Sequence, residues 1–233
     1  MTAVVPPATT RRRATGTFRP PVRTGVRVVG TGLARSLLSL RVEGAEHVPT
    51  HGPVILAGNH SGILDGPLVY FVSPRPCRLL TKSEVFVGPW ARPCGWLGLI
   101  PVHRGQADRS ALHAGLAELS AGGVLGVFPE GTRGTGALEQ VADGIAYLAL
   151  RSGAPVIPIA VSGTLAALPR GSFVPVLRSP VRVVFGPPVT VQPTGDPRAR
   201  RTVRDAAEQL RLALVAHLHS TSRTTPSSAE EPA

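Results

Sequence analysis

The sequence predicts an α/β fold: a largely parallel central sheet flanked by helices, with an interfacial helix at the N-terminus. Two observations carry this expectation. Short apolar, β-branched runs ("LRVEG", "VILAG", "CRLLTK", "LIPVHR", "VLGVF", "VIPIAV", "VRVVFG") alternate with helix-length segments, and their near-continuous apolar character suits strands covered on both faces. The chain has 233 residues, 42% of them hydrophobic, which suffices for one well-buried domain and is short for two.

Taken in order, residues 1–22 mix Pro, Thr and Arg, include "RRR" at 11–13, and read as a disordered basic arm. From residue 22 to 40, Val26, Val29, Leu33, Leu37, Leu38 and Leu40 recur at roughly helical steps among Arg23, Arg27 and Arg35. No acidic residue appears before Glu43. This is the pattern of a helix lying on an anionic surface, although a helix packed on its own domain fits the same spacing. Each arginine near an anionic membrane is worth about 1 kcal/mol. Further helices are expected at 64–72, 110–121, 139–152 and 197–217. In the second, Leu112, Leu116 and Leu119 share a face, Asp108 or Ser110 can cap the start and Gly122 can end it. A single domain is thus expected over residues 23–219, with a polar, disordered tail over 220–233.

The 25 Lys plus Arg against 14 Asp plus Glu give a net charge of +11, which favours anionic partners. Lys82 is the only lysine, an asymmetry that a GC-rich coding sequence explains as well as function does. Cys77 and Cys94 are too few for a disulfide framework and lack the spacing of a zinc site. No run reaches the roughly 18 apolar residues of a membrane-spanning helix, and the N-terminus lacks the apolar centre of a signal peptide. Nucleic-acid binding has the charge but no recognisable motif, and only 4% of residues are aromatic.

The stretch "NHSGILD", Asn59 to Asp65, lies where an expected buried strand gives way to a helix, the place where ligands bind in parallel sheets. A histidine with a reference pKa of about 6.5 can take a proton from a hydroxyl at neutral pH, and an aspartate can fix its tautomer. His60 and Asp65 therefore read as a base and its orienter, with a turn capped by two polar residues as the plainer alternative. Ser61 is not in a G-x-S-x-G elbow, so direct attack by a substrate hydroxyl is the simpler chemistry. Lys82, Arg104 and Arg133 stand at or just past other strand ends, and Gly131 and Gly134 permit close backbone approach; together they suit a phosphate. His103, beside Arg104, reads as structural.

Four ordered blocks carry a family resemblance. Asn59, His60 and Asp65 form N-H-x(4)-D; Gly98, Ile100, Pro101 and Arg104 form G-x-I-P-x-x-R; Phe128 to Arg133 form F-P-E-G-T-R; and "VIPIAVSGT", 156–164, is an apolar strand with a central proline. The sequence resembles the glycerolipid acyltransferases of the 1-acylglycerol-3-phosphate acyltransferase type over roughly residues 40–190. The resemblance implies that His60, assisted by Asp65, deprotonates the hydroxyl of a lysophospholipid acceptor, which attacks an acyl thioester on coenzyme A or acyl carrier protein. It assigns the acceptor phosphate to Arg104, Arg133, Lys82 and the Gly131/Thr132 backbone. Asn59 and Glu130 take positioning roles, Glu130 more readily as a buttress to an arginine than as a ligand contact. For Pro158 the structural role is the stronger.

By the same resemblance no metal or cofactor is needed, the product is phosphatidic acid, and the protein works peripherally at the cytoplasmic face of the cell membrane. Family members often carry a basic residue shortly before a glycine after the third block, where this chain has Asp143 before Gly144. The alternatives are another lysophospholipid or glycolipid acceptor, a non-catalytic protein binding anionic lipid, and a metal-dependent phosphohydrolase using His60, Asp65 and Glu130. The last lacks a second histidine at ligand spacing.

Overall fold

The computed structural model describes residues 20–103, 108–130, 137, 138, 140–197 and 199–223. In chain order the elements are α1 (Pro20–Leu37), β1 (Ser39–Glu43), β2 (Val54–Gly58), α2 (Asp65–Val72), β3 (Cys77–Lys82), α3 (Ala91–Trp96), β4 (Ile100–Val102), α4 (Arg109–Ser120), β5 (Val124–Val127), α5 (Asp143–Ser152), β6 (Val156–Ser162), α6 (Thr164–Ala167), β7 (Pro180–Phe185) and α7 (Arg200–Arg223).

The strands form one sheet in the order β1-β7-β6-β2-β5-β3-β4. Strands β6, β2, β5, β3 and β4 are mutually parallel, and β7 meets β6 antiparallel with Ser162 opposite Arg182 and Ile159 opposite Phe185. β1 runs parallel to β7. The expected α/β class with a largely parallel sheet is therefore present. The carboxyl ends of five strands and the starts of β1 and β7 lie along one edge of the sheet.

Both faces of β2 are buried, which explains its unbroken apolar run. Ile55 and Ala57 pack with Leu125, Val156, Leu119, Leu148, Leu210 and Leu214 under α4, α5 and α7, whereas Val54 and Leu56 pack with Ile157, Ile159, Val69 and Phe185 on the side of α2. A third, smaller cluster joins Ala34 and Leu38 to Leu68, Ala167 and Val181. Pro158 sits inside β6 opposite Ala57. Its carbonyl accepts from Gly186 N–H, just past the end of β7, so the missing proline N–H faces the side where that ladder has stopped.

Several boundaries differ from expectation. α1 begins at Pro20, inside the segment read as an arm, and its face is divided. Val29 and Leu33 are exposed, but Arg27 points inward, donating from its guanidinium to the Ser73 carbonyl at the end of α2, and burial lowers its pKa. α7 continues to Arg223, beyond 217 and into the segment read as tail, because Arg182 on β7 donates to the Thr221 carbonyl at 2.9 Å and holds that last turn. α5 starts at Asp143, not 139: the Ala142 N–H is drawn to the Pro129 carbonyl at the end of β5, at 3.1 Å, and the chain there is extended. The carboxylate of Asp143 occupies the first turn of α5, where the helix dipole favours a negative charge. The basic arm before residue 20 lies outside the described residues. Both cysteines are free and buried, and burial pushes the Cys77 thiol up to about 11.

Candidate functional site

β2 is the middle strand of the seven, flanked by parallel β6 and β5, and the chain leaves it at Asn59. This buried side chain is consumed by the neighbouring strand: Nδ2 donates to the Val161 carbonyl at 3.0 Å and Oδ1 accepts from Val161 N–H at 2.8 Å. Asn59 thus extends the β2–β6 ladder by one side-chain rung and fixes the backbone immediately before His60.

Asp65 opens α2 and is completely buried, at 0% exposure. Its Oδ2 accepts from Ser61 N–H and Gly62 N–H, each at 2.7 Å, and from His60 Nδ1–H at 3.0 Å. Its Oδ1 accepts from the Thr164 hydroxyl at 2.6 Å. A buried carboxylate is costly unless its lone pairs are satisfied, and here two backbone amides, a ring N–H and a hydroxyl satisfy them beside a helix N-terminus. Since Nδ1 donates, the imidazole keeps its lone pair on Nε2. The His60 side chain retains 17% exposure, so this nitrogen belongs to a ring that solvent or substrate can reach.

The third block supports the ring from the side. Phe128, just past β5, lies against His60 with ring centroids 4.6 Å apart and planes tilted by 30°. A Cβ at Gly58 would approach the Phe128 ring at 3.3 Å. Beyond it, the Glu130 carboxylate accepts from Leu138 N–H at 3.2 Å. The described partner of Glu130 is therefore the backbone of Leu138, while Arg104 and Arg133, the arginines it was expected to buttress, lie outside the described residues. The Ala142–Pro129 bond likewise ties the chain before α5 to the residues just past β5.

Lys82 ends β3, two strands from β2 in the sheet, on the same edge as His60. His103 follows β4 and is paired with Asp108, which accepts from its backbone N–H at 2.8 Å and its ring Nδ1 at 2.9 Å. Arg104, Gly131, Thr132 and Arg133 lie outside the described residues.

Sequence reasoning brought His60, Asp65, Asn59, Glu130 and Lys82 to one edge, as the fold does. It assigned no role to Phe128 and Thr164, although both stand inside quoted blocks. The only signal was their position one residue past one strand and two past another. Gly62 completes this neighbourhood: a Cβ there would meet the Thr164 hydroxyl at 2.9 Å, so glycine is what leaves room for the Thr164–Asp65 bond.

A histidine held in one tautomer by a buried carboxylate, at the carboxyl end of a parallel sheet on an α/β scaffold, is an arrangement able to take up and return a proton. A family model described as Acyltransferase matches residues 39–162, which include three complete blocks and most of the fourth. The chain belongs to this acyltransferase family. It is 28% identical over 157 residues to a chloroplastic 1-acyl-sn-glycerol-3-phosphate acyltransferase of Arabidopsis thaliana, covering 64% of this chain and 43% of the relative. It is 30% identical over 135 residues to a 1-acyl-sn-glycerol-3-phosphate acyltransferase of Borreliella burgdorferi, covering 54% and 52%. The chain thus spans about half the length of the curated relatives it matches. Its fold is similar to the crystal structure of the 1-acyl-sn-glycerophosphate acyltransferase PlsC from Thermotoga maritima, with a TM-score of 0.63, 23% identity, and coverage of 86% of this chain and 80% of that one.

Proposed function

We propose that this protein transfers an acyl group from a thioester, on coenzyme A or acyl carrier protein, to the free hydroxyl of a 1-acylglycerol-3-phosphate, giving phosphatidic acid. The observation that carries the reading is the bond from His60 Nδ1–H to the buried Asp65 carboxylate, which leaves Nε2 as the proton acceptor. Nε2 removes the hydroxyl proton as the acceptor oxygen attacks the thioester carbonyl carbon. The tetrahedral adduct collapses, the C–S bond breaks, and the thiolate takes the proton back from Nε2. Asp65 stabilises the imidazolium that forms between these steps. Holding hydroxyl and thioester together supplies proximity without a metal or cofactor.

The acceptor phosphate falls to Lys82, Arg104 and Arg133 with the Gly131/Thr132 backbone. Asn59 acts by fixing the backbone that carries His60, and Glu130 as a positioning residue of the third block. No helix among the described residues is long and apolar enough to cross a membrane, and contact with an anionic surface at the cytoplasmic face fits the net charge of +11. The test is thioester-dependent conversion of lysophosphatidate to phosphatidate by the purified protein with a chelator present. His60→Ala should lower turnover by about 10²–10⁴-fold, the usual worth of a general base. Equal product from wild type and variant would overturn the assignment, and lipid binding without turnover by either would favour a non-catalytic role.

A further inference from the structure

Residues 168–179 link α6 to β7 at the edge where His60 lies. This position follows from topology, since β6 ends there and antiparallel β7 begins there. The loop is internally built: Val176 N–H donates to Ala167 O at 2.8 Å, Ser172 N–H to Pro169 O at 3.0 Å, and the Ser172 hydroxyl to Val174 O at 2.9 Å. It is tied to the end of α1 by Arg178 N–H, which donates to Leu37 O at 2.7 Å. Despite this order its apolar side chains face outward. Phe173 is 99% exposed, and Val174, Val176 and Leu177 are exposed beside it.

Isolated exposed apolar residues are ordinary, but a contiguous group marks an interaction surface. Other exposed apolar residues share this edge. Leu165 follows the Thr164 that holds Asp65, Ile63 lies between His60 and Asp65, and both are exposed on the same edge. α1, whose end is tied to this loop, also exposes Val28, Val29 and Leu33. The charge is one-sided: Arg170 and Arg178 flank the tip and are exposed, and no acidic residue occurs between Asp143 and Asp196 or before Glu43. An apolar, aromatic tip ringed by arginine fits the interface of an anionic bilayer, with the ring among acyl chains and the guanidinium groups on phosphates.

We propose that residues 168–179 form a membrane wedge, with Phe173 and Val174 entering the lipid and Arg170 and Arg178 on anionic head groups, so that the His60 edge of the sheet is seated on the bilayer. The proposal deepens the acyltransferase reading and rests on it for the value of this placement. A lysophospholipid could then reach His60 while its acyl chain remains in the membrane.

The test uses the full chain and vesicles of phosphatidylglycerol and phosphatidylcholine, with phosphatidylcholine vesicles as control. Phe173→Ser with Val174→Ser should lower partitioning into the anionic vesicles at least ten-fold. Turnover of a vesicle-borne acceptor should fall in step, while turnover of a short-chain acceptor dispersed below its micellar concentration stays unchanged. Independently, fluorescence of Phe173→Trp, compared with wild type, should shift to the blue on binding and be quenched by brominated acyl chains. Unchanged partitioning, or an emission from the introduced indole that is insensitive to brominated lipid, would overturn the wedge. So would loss of a dimer or of carrier-protein binding in the serine variant with vesicle binding intact. Wedge-dependent vesicle binding without turnover of any acceptor would leave the surface standing and remove the enzymatic reading, whereas turnover with wedge-independent binding would do the reverse.

Discussion

The Asp65 carboxylate carries most of the consequence of single residues in this protein. It is reached by two backbone amides of its own turn, by His60, and by the Thr164 hydroxyl from a different strand end. A hydrogen bond to a charged, buried group is worth about 1.5–3 kcal/mol. Thr164→Val keeps the shape and removes the donor, so it should lower stability by about that amount. It should also reduce kcat with little change in the KM of either substrate, because it acts on the orientation of the base and not on binding. Thr164→Ser should restore both, and a stability loss with kcat intact would reduce Thr164 to a packing residue. Gly62→Ala should produce the same kinetic loss, since its Cβ would crowd that hydroxyl. The His60–Asp65 pair was legible because both members sit in one turn. Thr164, 99 residues away from Asp65, was not, since only the pairing of β2 with β6 brings it there.

At the scale of elements, apolar runs located the strands well because a strand covered on both faces has little freedom in composition. Helix ends were less legible. The end of α7 depends on Arg182 and the start of α5 on Pro129, both distant in sequence. The one-turn α6 and the short α3 leave no period to detect. The cap of α4 was visible: Asp108 accepts from Ser110 N–H at 3.0 Å and Ala111 N–H at 3.1 Å. The same carboxylate accepts from His103 N–H, the Ser110 hydroxyl and the His103 ring, and these bonds, the His103 N–H first, hold its pKa far below the usual carboxylate range. Asp108→Ala should cost about 0.5–2 kcal/mol near neutral pH. A depressed folded-state pKa contributes stability that is present above the unfolded value near 3.8 and is lost as pH falls toward the folded one. Denaturant midpoints of wild type and variant should therefore converge as pH drops below about 4, and a gap independent of pH would count against the ionised cap.

For the whole molecule, a charge of +11 predicts that association with anionic vesicles weakens as salt rises from about 0.05 to 0.5 M, the range where the Debye length shrinks past the size of a side chain. Deleting residues 1–19, which ends before α1, should weaken the same association; an unchanged vesicle affinity would make the arm irrelevant to targeting.

The sequence by itself determined the α/β class, the apolar strands, the pairing of His60 with the Asp65 carboxylate, and the family blocks, because each is written in composition or spacing within a few residues. Only the tertiary structure decided that Thr164 reaches Asp65 and Phe128 lies against His60, that Arg27 turns inward on α1, and that Phe173 stands out at the same edge as His60. These facts depend on strand order and on one antiparallel pairing at β7, which bring together residues about a hundred positions apart and leave no trace in local pattern.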